Sequence, residues 1–140
     1  MANGFYLTNA VAAGMLNSTG LAESLGASPK IKIYSGTVPS NADASNAGSL
    51  LATLTCAATP VSGYSDTGTA ARATFAAITS GTAAATGTAA FFRAETSGGT
   101  VLAQGTVGTS AADLVLNSVA ITSGSTVSIT SATIDLPEGP

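Results

Sequence analysis

The sequence predicts an all-β domain: an antiparallel β-sandwich, jelly-roll-like, of about seven to nine strands with a short helical segment at the N-terminus. Three observations carry that expectation. Apolar residues alternate over short runs, with turn formers roughly every 8–12 residues, as in sandwiches and barrels. Beyond residue 28 no segment repeats at the helical period, so the helices that a parallel α/β fold needs between its strands are missing. The alternating Ala and Thr keep no fixed period, which sets aside a solenoid.

The chain divides into a helical segment or arm over 1–28 and a sandwich domain over 29–140. Thr8 or Asn9 caps a short helix over 10–17, with Val11, Met15 and Leu16 on its apolar side. Leu21 and Leu25 extend the spacing, but Gly20 interrupts, giving one imperfect helix or two short pieces. The segment either plugs one end of the β domain or reaches a neighbouring subunit. Pro29 holds Ser28 extended and marks the boundary.

Strict alternation follows over 30–34: Ile31 and Ile33 face inward, while Lys30, Lys32 and Tyr34 face outward. The lysines read as solubilising charge or as protection of a sheet edge. Residues 35–49 lack periodicity and are rich in turn formers, a long loop of the kind that makes contacts. The next strand, 50–56, puts Leu50, Ala52, Leu54 and Cys56 on one face. A polar connection spans 57–71, a strand 72–79, and a small-residue link 80–87.

Strands over 88–96 and 100–107 flank Ser97-Gly98-Gly99, a hairpin turn. Two registers fit: Glu95 opposite Leu102 or opposite Val101. In both, Phe91 and Phe92 point to opposite faces. One ring enters a core; the other needs a second layer, a neighbouring subunit or water. A short strand over 113–116 comes next. Then a second hairpin around Ser123-Gly124-Ser125 places Ile121 opposite Val127 and Val119 opposite Ile129. The alternation slips afterwards: Val127 and Ile129 are odd, Ala132, Ile134 and Leu136 even. An extra residue near Thr130-Ser131, a bulge or a bend between sheets, explains the slip. Pro137 and Pro140 end the strand and leave an exposed tail.

Net charge is −3 and only Lys30, Lys32, Arg72 and Arg93 are basic, so nucleic acid is not an expected partner. No apolar run is long enough for a membrane-spanning helix, and no signal peptide is evident. Histidine is absent, which excludes Ser-His and Cys-His catalysis and Cys/His zinc sites. The lone cysteine, Cys56, reads as a buried small hydrophobe. The carboxylates are scattered, and no glycine cluster opens a helix as a phosphate site does. No catalytic, cofactor or metal residues are expected, and the chain reads as a non-enzyme. Arg93 and Glu95 share a strand face and read as a surface ion pair; at a subunit contact Arg93 would be a hot spot.

Leu, Ile, Val and Phe number 29 of 140 residues, while Ala, Gly, Ser and Thr exceed half. Each buried large side chain contributes about 1.5–3 kcal/mol and buried Ala much less. So thin a core favours an assembly that buries further surface.

Several stretches resemble, in order, a family of small virion structural proteins of tailed bacteriophages. They are the N-terminal segment with Asn9 and Met15, the strand and turn from Ile31 to Pro39, and Gly48-Ser-Leu-Leu-Ala-Thr-Leu54-Thr. Gly87-Thr-Ala-Ala-Phe-Phe-Arg93, Gly105-Thr-Val-Gly108, Ala112-Asp113-Leu114 and Ser123-Gly124 before Val127-Ser-Ile129 complete them. The resemblance implies assembly into a particle rather than catalysis. The leading expectation is a capsid decoration, or cement, protein on the virion surface, made in the host bacterial cytoplasm. Its partners would be copies of itself, a trimer favoured, and the major capsid protein. Tyr34, Pro39, Phe91, Phe92 and Arg93 are the interface candidates. A tail or baseplate component is the second reading and a carbohydrate-binding adhesin the third.

Overall fold

Phe91 to Glu95 is a strand buried on both faces, and the sheet is built outward from it. The computed structural model describes residues 6–8 and 20–137. The helix expected over 10–17 and the tail after Pro137 lie outside the described residues. The strands are β1 (Tyr6–Leu7), β2 (Lys30–Ser35), β3 (Ser49–Thr55), β4 (Val61–Asp66), β5 (Ala70–Phe75), β6 (Gly81–Thr82) and β7 (Gly87–Thr88). They continue with β8 (Phe91–Glu95), β9 (Val101–Gly108), β10 (Leu114–Leu116), β11 (Ala120–Ile121), β12 (Thr126–Val127) and β13 (Ile129–Pro137). One short helix, α1 (Leu21–Leu25), is present among the described residues and buries Leu25. The chain is all-β: a large mixed sheet curls into a sandwich-like body.

That sheet runs β3-β2-β8-β9-β10-β13-β5-β4, with β1 also on β9. β2 is therefore an interior strand, and its lysines guard no edge. Ile31 and Ile33 stand opposite Ala94 and Phe92. With Leu51, Leu54, Leu114, Leu116, Ile121 and Val127 they form the core. Alanines 52, 83, 89, 94 and 103 fill the rest of it, as the composition implied.

The β8–β9 hairpin uses both of the registers that the turn allowed. Phe91 to Ala94 pair with Thr106 to Ala103, the ladder that would set Glu95 opposite Leu102. A bulge at Ala94/Glu95 then moves the last pair to Glu95 opposite Val101. Phe92 enters the core directly over Gly105, where an added Cβ would sit 2.6 Å from the ring.

Four expectations are corrected. The first concerns Leu50. A bulge after Ile33 pairs Tyr34 with Leu50, so Leu50 turns out at 38% exposure and Leu51 turns in at 0%. The second concerns the 57–71 connection, which contains β4, paired with β5. Its residues VSGYSD do not alternate in polarity because β4 lies at the sheet edge. The third concerns the arms around Gly124, which pair not with each other but with the 81–88 link. Ala120 and Ile121 face Thr88 and Gly87, and Thr126 and Val127 face Thr82 and Gly81. Main-chain bonds from Ala83 to Ser125 and from Gly124 to Ala83 carry the same register between them. The link of small residues lets another backbone approach along its whole length.

The fourth departure is a parallel pair, β9 with β10; the other strand pairs among the described residues are antiparallel. Parallel neighbours ordinarily need a long crossover. Here 109–113 suffices because Asp113 substitutes for a ladder partner. Its carboxylate accepts from the Thr106 main chain at 2.9 Å and from the Thr106 hydroxyl at 2.8 Å.

The slip expected near Thr130-Ser131 is a bulge. Val115 faces Ser131, but Leu116 faces Ile129, leaving Thr130 over. The Thr130 hydroxyl donates back to the Val115 carbonyl at 3.1 Å. Beyond it, residues 133–137 of β13 leave β10 and pair with β5.

Candidate contact surface

The face of β8 turned away from the core carries Phe91, Arg93 and Glu95. Across β2 they meet Tyr34, Lys32 and Lys30. A half-polar face like this would normally meet water. Instead Phe91 is 0%, Arg93 5% and Glu95 4% exposed, and the 36–48 loop folds back over Phe91 and Arg93.

The loop is fastened by side chains that reach up from the sheet. Arg93 Nε donates to Gln104 Oε1 at 3.0 Å, the two residues standing directly opposite in the β8–β9 ladder. Arg93 Nη2 donates to the Ala44 carbonyl at 2.7 Å and, more weakly, to the Asn41 carbonyl at 3.5 Å. Gln104 Nε2 donates to the Pro39 carbonyl at 2.9 Å. One cation and one amide thus hold both limbs of the loop through its main chain. Such bonds fix the shape of the loop's main chain.

The loop is also tied to itself. Asn41 Oδ1 accepts from the Asp43 main chain at 2.9 Å, and Asn46 Oδ1 accepts from the Gly48 main chain at 2.7 Å. These are the local side-chain-to-backbone bonds for which Asn is favoured in turns. The loop returns to β3 at Gly48, where a Cβ would lie 2.4 Å from the Ser35 carbonyl oxygen. Only glycine permits that closure.

Beneath the loop, Tyr34 stacks on Phe91 with centroids 5.2 Å apart and planes 15° apart. Burial, then Glu95, raises the Tyr34 phenol above its ordinary pKa. Glu95 bonds Lys32 at 3.2 Å, so its partner is Lys32 rather than Arg93. The surface ion pair expected between Arg93 and Glu95 is replaced by a half-buried Lys32–Glu95 pair and a buried Arg93 network, because the loop supplies carbonyls to the guanidinium.

Of the five residues singled out in the sequence, four come together here, with unequal roles. Phe92 belongs to the core on the opposite face. Phe91 and Arg93 form the buried platform, so their side chains meet another molecule only if the loop lifts. Tyr34 and Pro39 are half-buried at the margin. Val38, beside Pro39, is 44% exposed and is the loop's outward apolar group. Gln104 was missed. It is the chain's only glutamine, and the hairpin register that pairs it with Arg93 was the available signal.

Elsewhere, α1 leans over β4, β5 and β13 and leaves an apolar groove of about 420 Å³, with Tyr64 and Arg72 among its lining residues. Arg72 binds Asp135 with two parallel bonds of 2.7 Å. That bond holds the Asp135 carboxyl below the usual carboxylate range. Cys56 is buried, and burial pushes its thiol up to about 11. Among the described residues no group of three or more His, Cys, Asp or Glu gathers as metal ligands would. No described helix is long and apolar enough to cross a membrane. No protein-family model, curated protein or solved structure matches the chain.

Proposed function

We propose that this chain is a non-enzymatic virion structural protein of a tailed bacteriophage, a capsid decoration protein that binds the assembled shell as an oligomer and stabilises it. The observation that carries the reading is the 36–48 loop. A buried arginine that has no carboxylate partner among the described residues donates to loop carbonyls at 2.7 and 3.5 Å. Desolvating a guanidinium costs several kcal/mol unless its hydrogen bonds are met. The result is a stiff, outward-facing loop whose ordering cost is already met before a partner arrives, which favours binding.

The stretches that resemble virion proteins support the same reading. Ile31 to Pro39, Gly48 to Thr55 and Gly87 to Arg93 come together as the two limbs of the loop, the strand returning from it, and the platform under it. Gly87 packs against Leu51 and Ser35, its virtual Cβ 3.0 Å from a Leu51 methyl. The outer face offers Val38, Pro39, Ser40 and Asn41 to a partner, a small and nearly uncharged patch suited to close contact with another β surface.

Antibody labelling of intact particles of the phage that encodes the chain tests the proposal. Label spread over the head, together with uptake of the purified protein by undecorated capsids, is the expected result. Label confined to the tail overturns decoration in favour of a tail component. A protein absent from particles, binding glycans instead, overturns the virion reading.

A further inference from the structure

The sheet has two ends, and they are finished differently. At β3 the outer edge is covered: Ala84 donates to the Leu51 carbonyl at 2.7 Å and Thr79 to the Thr55 carbonyl at 3.4 Å. At β4 nothing comparable occurs. Its bonds run inward to β5, and among the described residues no main-chain group pairs with its outer side. An open edge is a template for another strand, and chains usually blunt it with Lys, Pro or a bulge. Between Val61 and Ser65 there is no Lys, Arg or Pro. A bulge between Val61 and Gly63 protects only the beginning, so residues 63–66 remain usable.

The side chains beside that edge are equally unguarded. Tyr64 is 73% exposed, the most exposed of the large hydrophobic residues described. It stands at the mouth of the apolar groove, with Leu21 of α1, Ala73 of β5, and Ile134 and Leu136 of β13 behind it.

We propose that β4 pairs with β4 of a second copy, antiparallel about a two-fold axis, so that the sheets of both copies become continuous. The strand is complementary to itself. A two-fold axis through Tyr64 sets Tyr64 opposite Tyr64 of the other copy and Gly63 opposite Ser65, since antiparallel partners must share a face, and leaves Asp66, the strand's only charge, beyond the overlap beside the bulged Ser62. No carboxylate then faces a carboxylate, a pairing that would be destabilising. Nothing lies within 4 Å of where a Cβ on Gly63 would sit, which leaves room for the incoming Ser65. Because one surface serves both copies, the contact closes as a dimer rather than polymerising. It follows from the strand edge alone and stands whether or not the chain belongs to a virion.

Light scattering on the purified full chain across a concentration series, with amide exchange read over 63–65, tests this contact. A concentration-dependent dimer whose 63–65 amides slow on association is expected. Tyr64→Lys sets cations beside each other and should raise the dimer dissociation constant at least about ten-fold, with the unfolding midpoint kept. Ser65→Lys, a lysine on the same exposed edge, should raise that constant too and serves if the first variant folds poorly. A strict monomer at all concentrations overturns the contact. So does a trimer or any other assembly in which 63–65 exchange freely, an outcome that leaves the virion reading standing.

Discussion

Replacing Arg93 with Met keeps the length and apolar stem of the side chain and removes its donors. Three acceptors lose a partner: Gln104 Oε1, the Ala44 carbonyl and, marginally, the Asn41 carbonyl. Gln104 is 0% exposed, so its orphaned oxygen carries a full desolvation penalty. A buried unpaired acceptor costs about 1–3 kcal/mol. Ala44 is only half-buried and water can replace part of its bond, which places it at the low end of that range. Removing a buried charge returns some desolvation energy. The net expectation is a loss of roughly 2–3 kcal/mol in a urea titration. Amide exchange over 40–48 should also rise well above that of the core strands. Arg93→Met combined with Gln104→Met should cost less than the sum of the singles, since each leaves the other unpaired. A loss under about 0.5 kcal/mol with unchanged loop protection, the size of an ordinary surface substitution, would refute the clamp.

Other consequences can be measured independently. Phe91→Ser and Phe92→Ser should both destabilise the isolated protein by several kcal/mol, about as buried Phe truncations do. Both rings are enclosed by this chain, one by the loop and one by the core. A stable Phe91→Ser protein would show that the loop does not seal its face. Gly105→Ala drives a methyl into the Phe92 ring at 2.6 Å and should cost about 1–3 kcal/mol, partly recovered by Phe92→Leu. Full stability of Gly105→Ala would contradict that packing. Asp135 has its carboxyl pKa lowered by the Arg72 hydrogen bonds. A depressed folded-state pKa adds stability above the unfolded value of about 3.9, lost as pH falls through the folded value. Asp135→Asn should flatten that acid limb of the stability–pH curve, and an unchanged limb would discount the pair. Cys56, its thiol raised to about 11, should resist thiol reagents at pH near 8 until the chain unfolds. Rapid labelling of the native protein would contradict its burial.

The sequence made some of this legible for physical reasons. Side chains alternate strictly in a strand, so adjacent Phe91 and Phe92 had to part. A change of phase between Val127/Ile129 and Ala132/Ile134 needed one surplus residue, and it is Thr130. What covers the second ring was not legible, because a loop without periodicity leaves no trace of where it lies. The edge strand β4 was hidden for a related reason: with little buried on either face, nothing selects an alternating pattern. Around Gly124, local apolar pairs fit a hairpin, but the small-residue link offered a longer ladder at no steric cost, and long-range pairing prevailed. The parallel return from β9 to β10 turns on a single carboxylate, Asp113, whose partner at Thr106 no pattern of hydrophobicity announces.

If the chain decorates a shell as proposed, the 36–48 loop, clamped from below, is the surface it presents. Amide exchange across the loop, compared between the free protein and the protein on capsids, is the decisive measurement. Slowed exchange at Val38, Ser40 and Asn41 on the particle, with the core unchanged, is the expected result. An unaltered loop, with protection appearing on another face, would contradict it.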